Sequence, residues 1–138
     1  MPDPFATAER TALADTVRRF TEQQIVPGLA DWEAAGELPR ALHRSAAEAG
    51  LLGIGYPAEA GGEGGDAVDQ LVVTDALILA GGSGGVVAGL FTHGIALPHV
   101  IDAAQARRSA GDEAGAEYLL QRYVRPVLRG EAICALAV

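Results

Sequence analysis

The segment over residues 50–66, GLLGIGYPAEAGGEGGD, constrains the fold of this chain more than any other feature. It contains an apolar run, a Tyr-Pro turn and four glycines within five positions, and helix-like sequence lies on both sides. Because glycine loses more conformational freedom on folding than any other residue, ordering this loop costs entropy. We therefore expect the backbone path to require glycine, with a ligand cradle, a hinge and a shaped connection between helices as the alternatives.

The composition predicts one domain with a core of small and branched apolar side chains. The chain has 138 residues, of which 49% are hydrophobic and 5% aromatic. A formal net charge of -8 argues against the basic surface that nucleic acids and anionic membranes require. The single cysteine, Cys134, allows no internal disulfide. With no visible secretory signal and no uninterrupted apolar run of about 18 to 20 residues, we expect a cytoplasmic protein that binds neither nucleic acid nor membrane.

Hydrophobic periodicity and chain breakers predict an all-α fold, an orthogonal or up-down bundle of about six helices with a short C-terminal strand-like segment. Pro27 is expected to interrupt the first helical stretch, Asp66 to cap the helix after the glycines, and Pro98 to kink or restart a later helix. The predicted helices cover residues 5–26, 29–35, 40–49, about 67–80, 84–97 with a continuation over 100–108, and 113–128. Their predicted inward positions are Leu13, Val17, Phe20 and Gln24; Leu71, Val72, Ala76 and Leu79; and Tyr118, Leu119, Tyr123 and Val124.

The last eight residues, EAICALAV, differ from the helical sequence before them. Ile133 and Val138 have β character, and Gly130 closes the preceding helix. A single strand cannot pair with itself. We therefore divide the chain into a helical domain over residues 1–130 and the start of a strand over residues 131–138, which either pairs outside these residues or forms a disordered tail.

No local pattern in the sequence predicts a catalytic or metal-binding residue. The glycine loop lacks the lysine and the preceding strand of a nucleotide-binding loop, and Glu63 and Asp66 would repel phosphate. His93 and His99 are six positions apart, so they do not share a helix face, and His93 is better explained as a core-edge residue or a pocket wall. Cys134 has apolar neighbours, which would leave its thiol inert.

Four segments, in this order, resemble the N-terminal helical domain of the acyl-CoA dehydrogenase family. They are VRRFTEQQIVPGLADWEAAGELPRAL, EAGLLGIGYPAEAGGEGGD, the histidine-bearing helix over residues 88–101, and YLLQRYVRPVLRGEAICALAV. The resemblance implies a flavin-dependent parent enzyme of fatty acid metabolism, which uses FAD to dehydrogenate acyl-CoA thioesters between the α and β carbons. It also implies that the glycine loop connects the third and fourth helices.

The resemblance implies few functional residues within this chain. Leu136 and Val138 match strand positions near the flavin ring, and the wall of the acyl-chain cavity is matched by Val87, Leu90, Phe91 and Gly94. Packing within the helical domain, or against further domains, is the alternative role for all six. The family's catalytic glutamate lies in a C-terminal helical bundle, so no residue here is assigned as catalytic and we expect the isolated chain to be inactive.

Two other functions remain open from the sequence. The chain could be a non-catalytic scaffold or partner subunit, or a protein-interaction helical domain, because a lone domain of this kind would expose apolar surface. It could also be an unrelated helical bundle in which the glycine loop is a coincidence. In either a dehydrogenase or a scaffold, we expect a homo-oligomer or a partner chain.

Overall fold

The computed structural model describes residues 5–137, and its regular structure is helical. Two π-helical turns join neighbouring helices, so the described residues form about six helical rods and confirm the all-α prediction. The glycine loop connects the third helix to the fourth, as the resemblance implied. The helices are α1 (Ala8–Phe20), α2 (Leu29–Ala35), α3 (Arg40–Glu48), α4 (Ala67–Leu79), α5 (Gly84–Phe91), α6 (His93–Ser109), α7 (Glu113–Leu119) and α8 (Arg125–Leu128).

The predicted interruption at Pro27 takes the form of a change in helix type. After α1, residues Thr21–Ile25 form a π-helical turn and Val26–Gly28 a 3-10 turn that leads into α2. The Val26 N–H donates to the Thr21 carbonyl, five residues earlier. Proline has no N–H to donate, and the wider turn before it keeps the chain helical. A π-helical turn contains one residue more than an α-helical turn, which changes the side of the helix that faces the core. Thr21 and Ile25 are therefore buried, and the prediction that Gln24 faces inward is wrong.

The same arrangement precedes Pro126 in the last rod. Residues Leu120–Val124 form a second π-helical turn, and the Arg125 N–H donates to the Leu120 carbonyl. Ala116, Leu120, Val124, Val127 and Leu128 are the buried positions. Tyr118 and Tyr123, which were predicted to face inward, are 58% and 45% exposed. Their prediction is wrong because Ala116, Leu120 and Val124, spaced four residues apart, form the buried face instead.

Helix α4 buries a face that overlaps only partly with the predicted one, since Ala76 packs against the core as expected. Asp66 caps it through a capping box with Asp69, as expected, but Leu71 and Leu79 are 64% and 79% exposed. Val73 and Leu77 are the buried residues instead. The helix is apolar on several sides, so hydrophobic spacing alone does not identify the inward face.

The break predicted at Pro98 lies six residues earlier. Helix α5 ends at Phe91, Thr92 forms the junction, and Pro98 lies inside α6. A proline in the second turn of a helix removes one hydrogen bond, here to the carbonyl of Gly94. The direction of the chain has already changed at Thr92, so α6 continues past the proline to Ser109.

Two apolar clusters form the core of the molecule. The first lies between α1, α3, α4 and α5, and the second between α6, α7 and α8. The glycine loop contributes to both, because Leu51 and Leu52 belong to the first cluster and Tyr56 and Ala60 to the second. The loop therefore lies between the two clusters and packs against both, rather than extending over the surface of the protein.

Within residues 5–137, one helical stretch is long and apolar enough to cross a membrane. Residues Gly84–Ser109, which comprise α5 and α6, have a mean hydropathy of 1.4 in their most apolar window. Core helices can be equally long and apolar, and His93, Leu97, Ile101 and Ala104 along this stretch are buried in the protein. The finding is weak support for a membrane span, and the expectation that the chain binds no membrane stays a prediction.

The C-terminal segment leaves α8 through a left-handed glycine. Gly130 has a φ of 70°, and the Arg40 side chain donates to the Glu131 carbonyl at 3.0 Å. Residues 133–137 have no regular secondary structure, so within the described chain the predicted strand is not formed. Its pairing with a further domain stays a prediction, and Val138 lies outside the described residues.

Candidate ligand-binding groove

The glycine loop folds back on Tyr56. The Gly64 N–H donates to the Tyr56 carbonyl at 2.8 Å, and the Gly55 N–H donates to the Gly64 carbonyl at 2.7 Å. A Cβ atom on Gly62 would overlap the Tyr56 carbonyl, so only glycine fits there. The N–H groups from Gly61 to Gly64 all donate to carbonyls of the loop itself. They are therefore not free to bind a phosphate, which favours the shaped connection among the three alternatives.

Two arginines attach this loop to the helices on either side. Arg10 of α1 contacts Asp66 at 3.0 Å and Asp69 at 2.8 Å, where these carboxylates cap α4. The hydrogen bond from Arg10 is the main cause that holds the pKa of Asp69 below its ordinary value. At the other end, Arg125 pairs with Glu117 and donates to the Glu59 carbonyl at 3.1 Å. The loop is thus fixed relative to both cores.

A groove of about 500 Å³ opens beside Tyr56, between the loop, α4 and the α5–α6 junction. Most of its wall is apolar, and three polar side chains on it are bonded to backbone carbonyls. Its lining residues are Leu51, Leu52, Ile54, Gly55, Tyr56, Pro57, Gln70, Val73, Thr74, Phe91, His93, Gly94, Pro98, Ile101, Asp102 and Gln105. Volume and lining are those of a small-molecule site.

His93 joins the loop to α6 at the back of this groove. It is 3% exposed, and its Nε2 lies 3.1 Å from the Leu52 carbonyl. Because a carbonyl only accepts, the tautomer that carries its proton on Nε2 is the one that donates to Leu52. Burial is the main cause that lowers the pKa of His93. The ring packs between Tyr56 and Phe91, with centroid distances of 5.7 and 6.2 Å, so His93 forms part of the pocket wall.

The groove brings together two of the four residues matched to the acyl-chain cavity. Phe91 and Gly94 line it. Leu90 is 1% exposed and belongs to the first core, and Val87 packs against that core. Leu136, matched to the flavin edge, is 50% exposed and does not line the groove. The binding roles of these residues stay predictions.

Sequence reasoning missed the loop and α4 contributions to the groove. Gln70 and Thr74 are one turn apart on α4, and the Gln70 amide donates to the Ile54 carbonyl at 3.1 Å. Only the polar i and i+4 spacing on an apolar helix pointed to them. Tyr56 could have been found from its place before Pro57, where glycines on both sides shape the chain around an aromatic residue.

A second groove, of about 690 Å³, lies between α2, α3 and α5. Trp32, Leu38 and Gly89 line it together with Ile133 of the C-terminal segment. His43 is buried at its edge, with Nε2 3.2 Å from the Gly89 carbonyl and Nδ1 without a partner in the described chain. Among residues 5–137, no group of three His, Cys, Asp or Glu side chains is placed to hold a metal ion.

Comparison with known proteins agrees with this fold. Residues 7–131 match the family model for the acyl-CoA dehydrogenase N-terminal domain. A crystal structure of a protein designated an acyl-CoA dehydrogenase from Mycobacterium smegmatis superposes with a TM-score of 0.82 at 49% identity, over 95% of this chain and 32% of that one. A counterpart from Mycobacterium abscessus has a TM-score of 0.79 at 53% identity, over 93% of this chain and 31% of that one.

A curated relative leads to the same family. The mitochondrial long-chain specific acyl-CoA dehydrogenase of Sus scrofa is 37% identical over 67 residues, which cover 49% of this chain and 16% of that protein. This chain therefore spans a third or less of the relatives it matches. The match of the family model over most of the chain, and the topology around the glycine loop, show that it belongs to the acyl-CoA dehydrogenase family, as an N-terminal domain.

Proposed function

We propose that this domain supplies one wall of the acyl-binding site of an FAD-dependent acyl-CoA dehydrogenase, a cytoplasmic enzyme of fatty acid metabolism that dehydrogenates acyl-CoA thioesters between the α and β carbons. The observation that carries the proposal is the groove at the α5–α6 junction, which Phe91 and Gly94 line together with the glycine loop. Family membership supplies the chemistry, and the groove supplies a place on this chain for the acyl group.

The residues of the groove would bind the acyl chain and keep water away from it. Apolar side chains such as Leu52, Val73 and Phe91 favour a hydrocarbon chain over water. The buried His93 ring remains neutral near neutral pH, because burial lowers its pKa, and it adds no charge to the wall. These residues therefore position a substrate, and none of them is assigned a proton-transfer step.

FAD in the parent enzyme would accept the hydride from the β carbon. Of the two residues matched to the flavin, Val138 lies outside the described residues, and Leu136 has a half-exposed apolar side chain that suits the edge of a ring. It lines neither of the two grooves described above. The described residues thus fit one contact of a flavin site and do not enclose one. Completion of the FAD site and the catalytic base are assigned to other parts of the parent enzyme, and the isolated chain is expected to be inactive.

The acyl-site proposal is tested by titrating the ¹⁵N-labelled chain with octanoyl-CoA while amide shifts are recorded by NMR. We expect the largest shifts at Phe91 and Gly94, with Gly84 at the far end of α5 as the internal reference. Shifts confined to the α2–α3 groove, or no shifts, would overturn the proposal. A parallel assay with FAD, octanoyl-CoA and an artificial electron acceptor should give no turnover, and robust turnover would overturn the expected inactivity.

One observation favours a scaffold or partner subunit as the second candidate. Leu71, Ile78 and Leu79 of α4 are 64%, 41% and 79% exposed, which gives this helix an apolar outer face. Such a face is typical of a surface that another protein covers. Light scattering of the purified chain tests this candidate, since a monomer at all concentrations with no co-purifying partner would count against it.

A further inference from the structure

We infer that the Tyr56 hydroxyl is a specificity group in the groove, and that the site favours acyl groups bearing a neutral oxygen, such as a keto, hydroxyl or ether oxygen, within reach of it. The inference rests on the proposed function, because it names the substrate class of that same groove. It begins with the hydrogen bonds of the wall.

Three polar side chains on the inner wall of the groove, those of His93, Gln70 and Thr74, already have backbone partners. The His93 ring donates to the Leu52 carbonyl at 3.1 Å, and the Gln70 amide donates to the Ile54 carbonyl at 3.1 Å. The Thr74 hydroxyl donates to the Gln70 carbonyl at 3.1 Å. Asp102 and Gln105 lie at the exposed rim. An aliphatic chain could therefore cover the inner wall without leaving these three groups unsatisfied.

Tyr56 is the exception. Its side chain is 5% exposed, yet its hydroxyl has no hydrogen-bond partner among residues 5–137. The oxygen is not sealed from solvent, since the one fully buried unpaired side-chain atom of the described chain is Nδ1 of His43. The hydroxyl faces Gly94 across the groove, 3.7 Å from the position that a Cβ on Gly94 would occupy. A buried ring thus presents a free donor to open space.

The loop fixes this donor in place. Gly62 packs against the Tyr56 carbonyl, and Gly64 bonds to it at 2.8 Å. The ring packs on His93 and belongs to the second core. Burial is the main cause that raises the pKa of Tyr56, so the hydroxyl keeps its proton and can donate. A donor held this rigidly loses little entropy when it binds an acceptor.

The charges around the groove restrict the acceptor to a neutral one. The lining includes no arginine or lysine, and Asp102 at the rim is a carboxylate. An anionic acyl group would therefore meet repulsion without a compensating cation. A purely hydrocarbon chain would cover the Tyr56 hydroxyl without offering it an acceptor, and leaving such a donor unpaired lowers affinity by roughly 10-fold or more relative to a ligand that accepts the hydrogen bond.

A matched pair of probes tests this inference: acetophenone and α-methylstyrene, which differ only by a carbonyl oxygen in place of a methylene group. Dissociation constants come from NMR titrations followed at the Phe91 and Gly94 amides. The quantity of interest is the ratio of the two constants, alkene over ketone, in each variant, because differences in solubility cancel when the ratios are compared. Tyr56→Phe should lower this ratio about 10-fold. The matched control, Tyr118→Phe, removes the hydroxyl of a 58% exposed ring on α7 and should leave it unchanged.

A second variant serves if Tyr56→Phe does not fold. Gly94→Asp places a carboxylate, which only accepts hydrogen bonds, beside the Tyr56 hydroxyl and should also lower the ratio, whereas Gly94→Ala adds a methyl group without a partner for the donor. An unchanged ratio in Tyr56→Phe and Gly94→Asp, with both probes bound, would overturn the inference and leave the proposed acyl site standing. Failure of both probes to shift Phe91 and Gly94 in the unaltered chain would overturn the inference together with the acyl site.

Discussion

The glycine loop, which contains two short 3-10 turns, and the C-terminal segment both lack α-helices, yet they are held in different ways. In the glycine loop, backbone N–H and carbonyl groups hydrogen-bond to one another. Two arginines attach the loop to the helices, and its side chains are buried in both cores. In the C-terminal segment, the N–H groups of Glu131 and Ala132 donate to the Pro126 carbonyl, and beyond them Ile133 and Leu136 are about half exposed. The comparison shows that irregular backbone is fixed by satisfied polar groups and buried side chains rather than by regular geometry.

The largest expected effect comes from breaking the tightest contact in the loop. Gly62→Ala would force a methyl group into the Tyr56 carbonyl, and we expect it to lower the free energy of unfolding by about 3 kcal/mol. The measurement is urea unfolding followed by circular dichroism. Gly84→Ala at the start of α5 is the control, because nothing lies within 4 Å of its added Cβ, and it should change stability by less than about 0.5 kcal/mol. Equal effects of the two changes would contradict the account of the loop.

A smaller, pH-dependent effect on the free energy of unfolding is expected from His93, whose hydrogen bond to the Leu52 carbonyl links α6 to the loop. Burial lowers the pKa of His93 in the folded chain below its unfolded value of about 6.5. The unfolded chain therefore binds a proton at this histidine more readily than the folded chain does. The stability that neutral His93 contributes is fully present above about pH 6.5 and is lost as the pH falls below that value. One proton changes the free energy of unfolding by at most about 1.4 kcal/mol per pH unit.

Urea unfolding between pH 7.5 and pH 5.5 measures this loss. His93→Gln keeps a donor for the Leu52 carbonyl but does not titrate, so it should show a flatter dependence than the unaltered chain. Parallel profiles for the two proteins would mean that His93 does not carry the effect.

Local sequence signals were sufficient to predict where several helices begin or end. Gly36 and Gly50 adopt positive φ after α2 and α3, and the side chains of Asp66 and Ser83 accept from the first N–H groups of α4 and α5. Each of these outcomes depends on residues within one turn of the chain. The position of the glycine loop between the third and fourth helices was instead implied by the family resemblance.

The features that could not be predicted depend on distant parts of the chain. The π-helical turns depend on how the surrounding residues pack around each proline. In these turns the residues that face the core include Ile25 and Leu120. The groove likewise requires the loop to meet α4, where Gln70 binds the Ile54 carbonyl sixteen residues away. The sequence therefore indicated Phe91 and Gly94 through family resemblance, and the Tyr-Pro turn marked Tyr56, but neither signal predicts that the Tyr56 hydroxyl faces Gly94.

Removing one of the two arginines that attach the loop should change the free energy of unfolding by an intermediate amount. Arg125→Ala removes the pair with Glu117 and the hydrogen bond to the Glu59 carbonyl, and we expect a loss of about 1 kcal/mol in urea unfolding. Arg18→Ala is the matched control, because its ion pairs with Asp15 and Glu22 lie exposed within one helix and should contribute less than about 0.5 kcal/mol. A loss for Arg125→Ala no larger than that of the control would show that the loop does not depend on this anchor.

The smallest effect is expected in the C-terminal segment. Leu136 is 50% exposed and belongs to neither core, so Leu136→Ala should change the free energy of unfolding by less than about 0.5 kcal/mol. A half-exposed leucine loses little apolar contact with water on folding, and its truncation leaves no closed cavity. Urea unfolding measures the change, and a loss above about 1 kcal/mol would place the segment within the fold of the helical domain. A negligible loss would instead support the division at residue 130, because Leu136 would then contribute little to the helical domain, in contrast to Ala132 and Cys134, which pack against the second core.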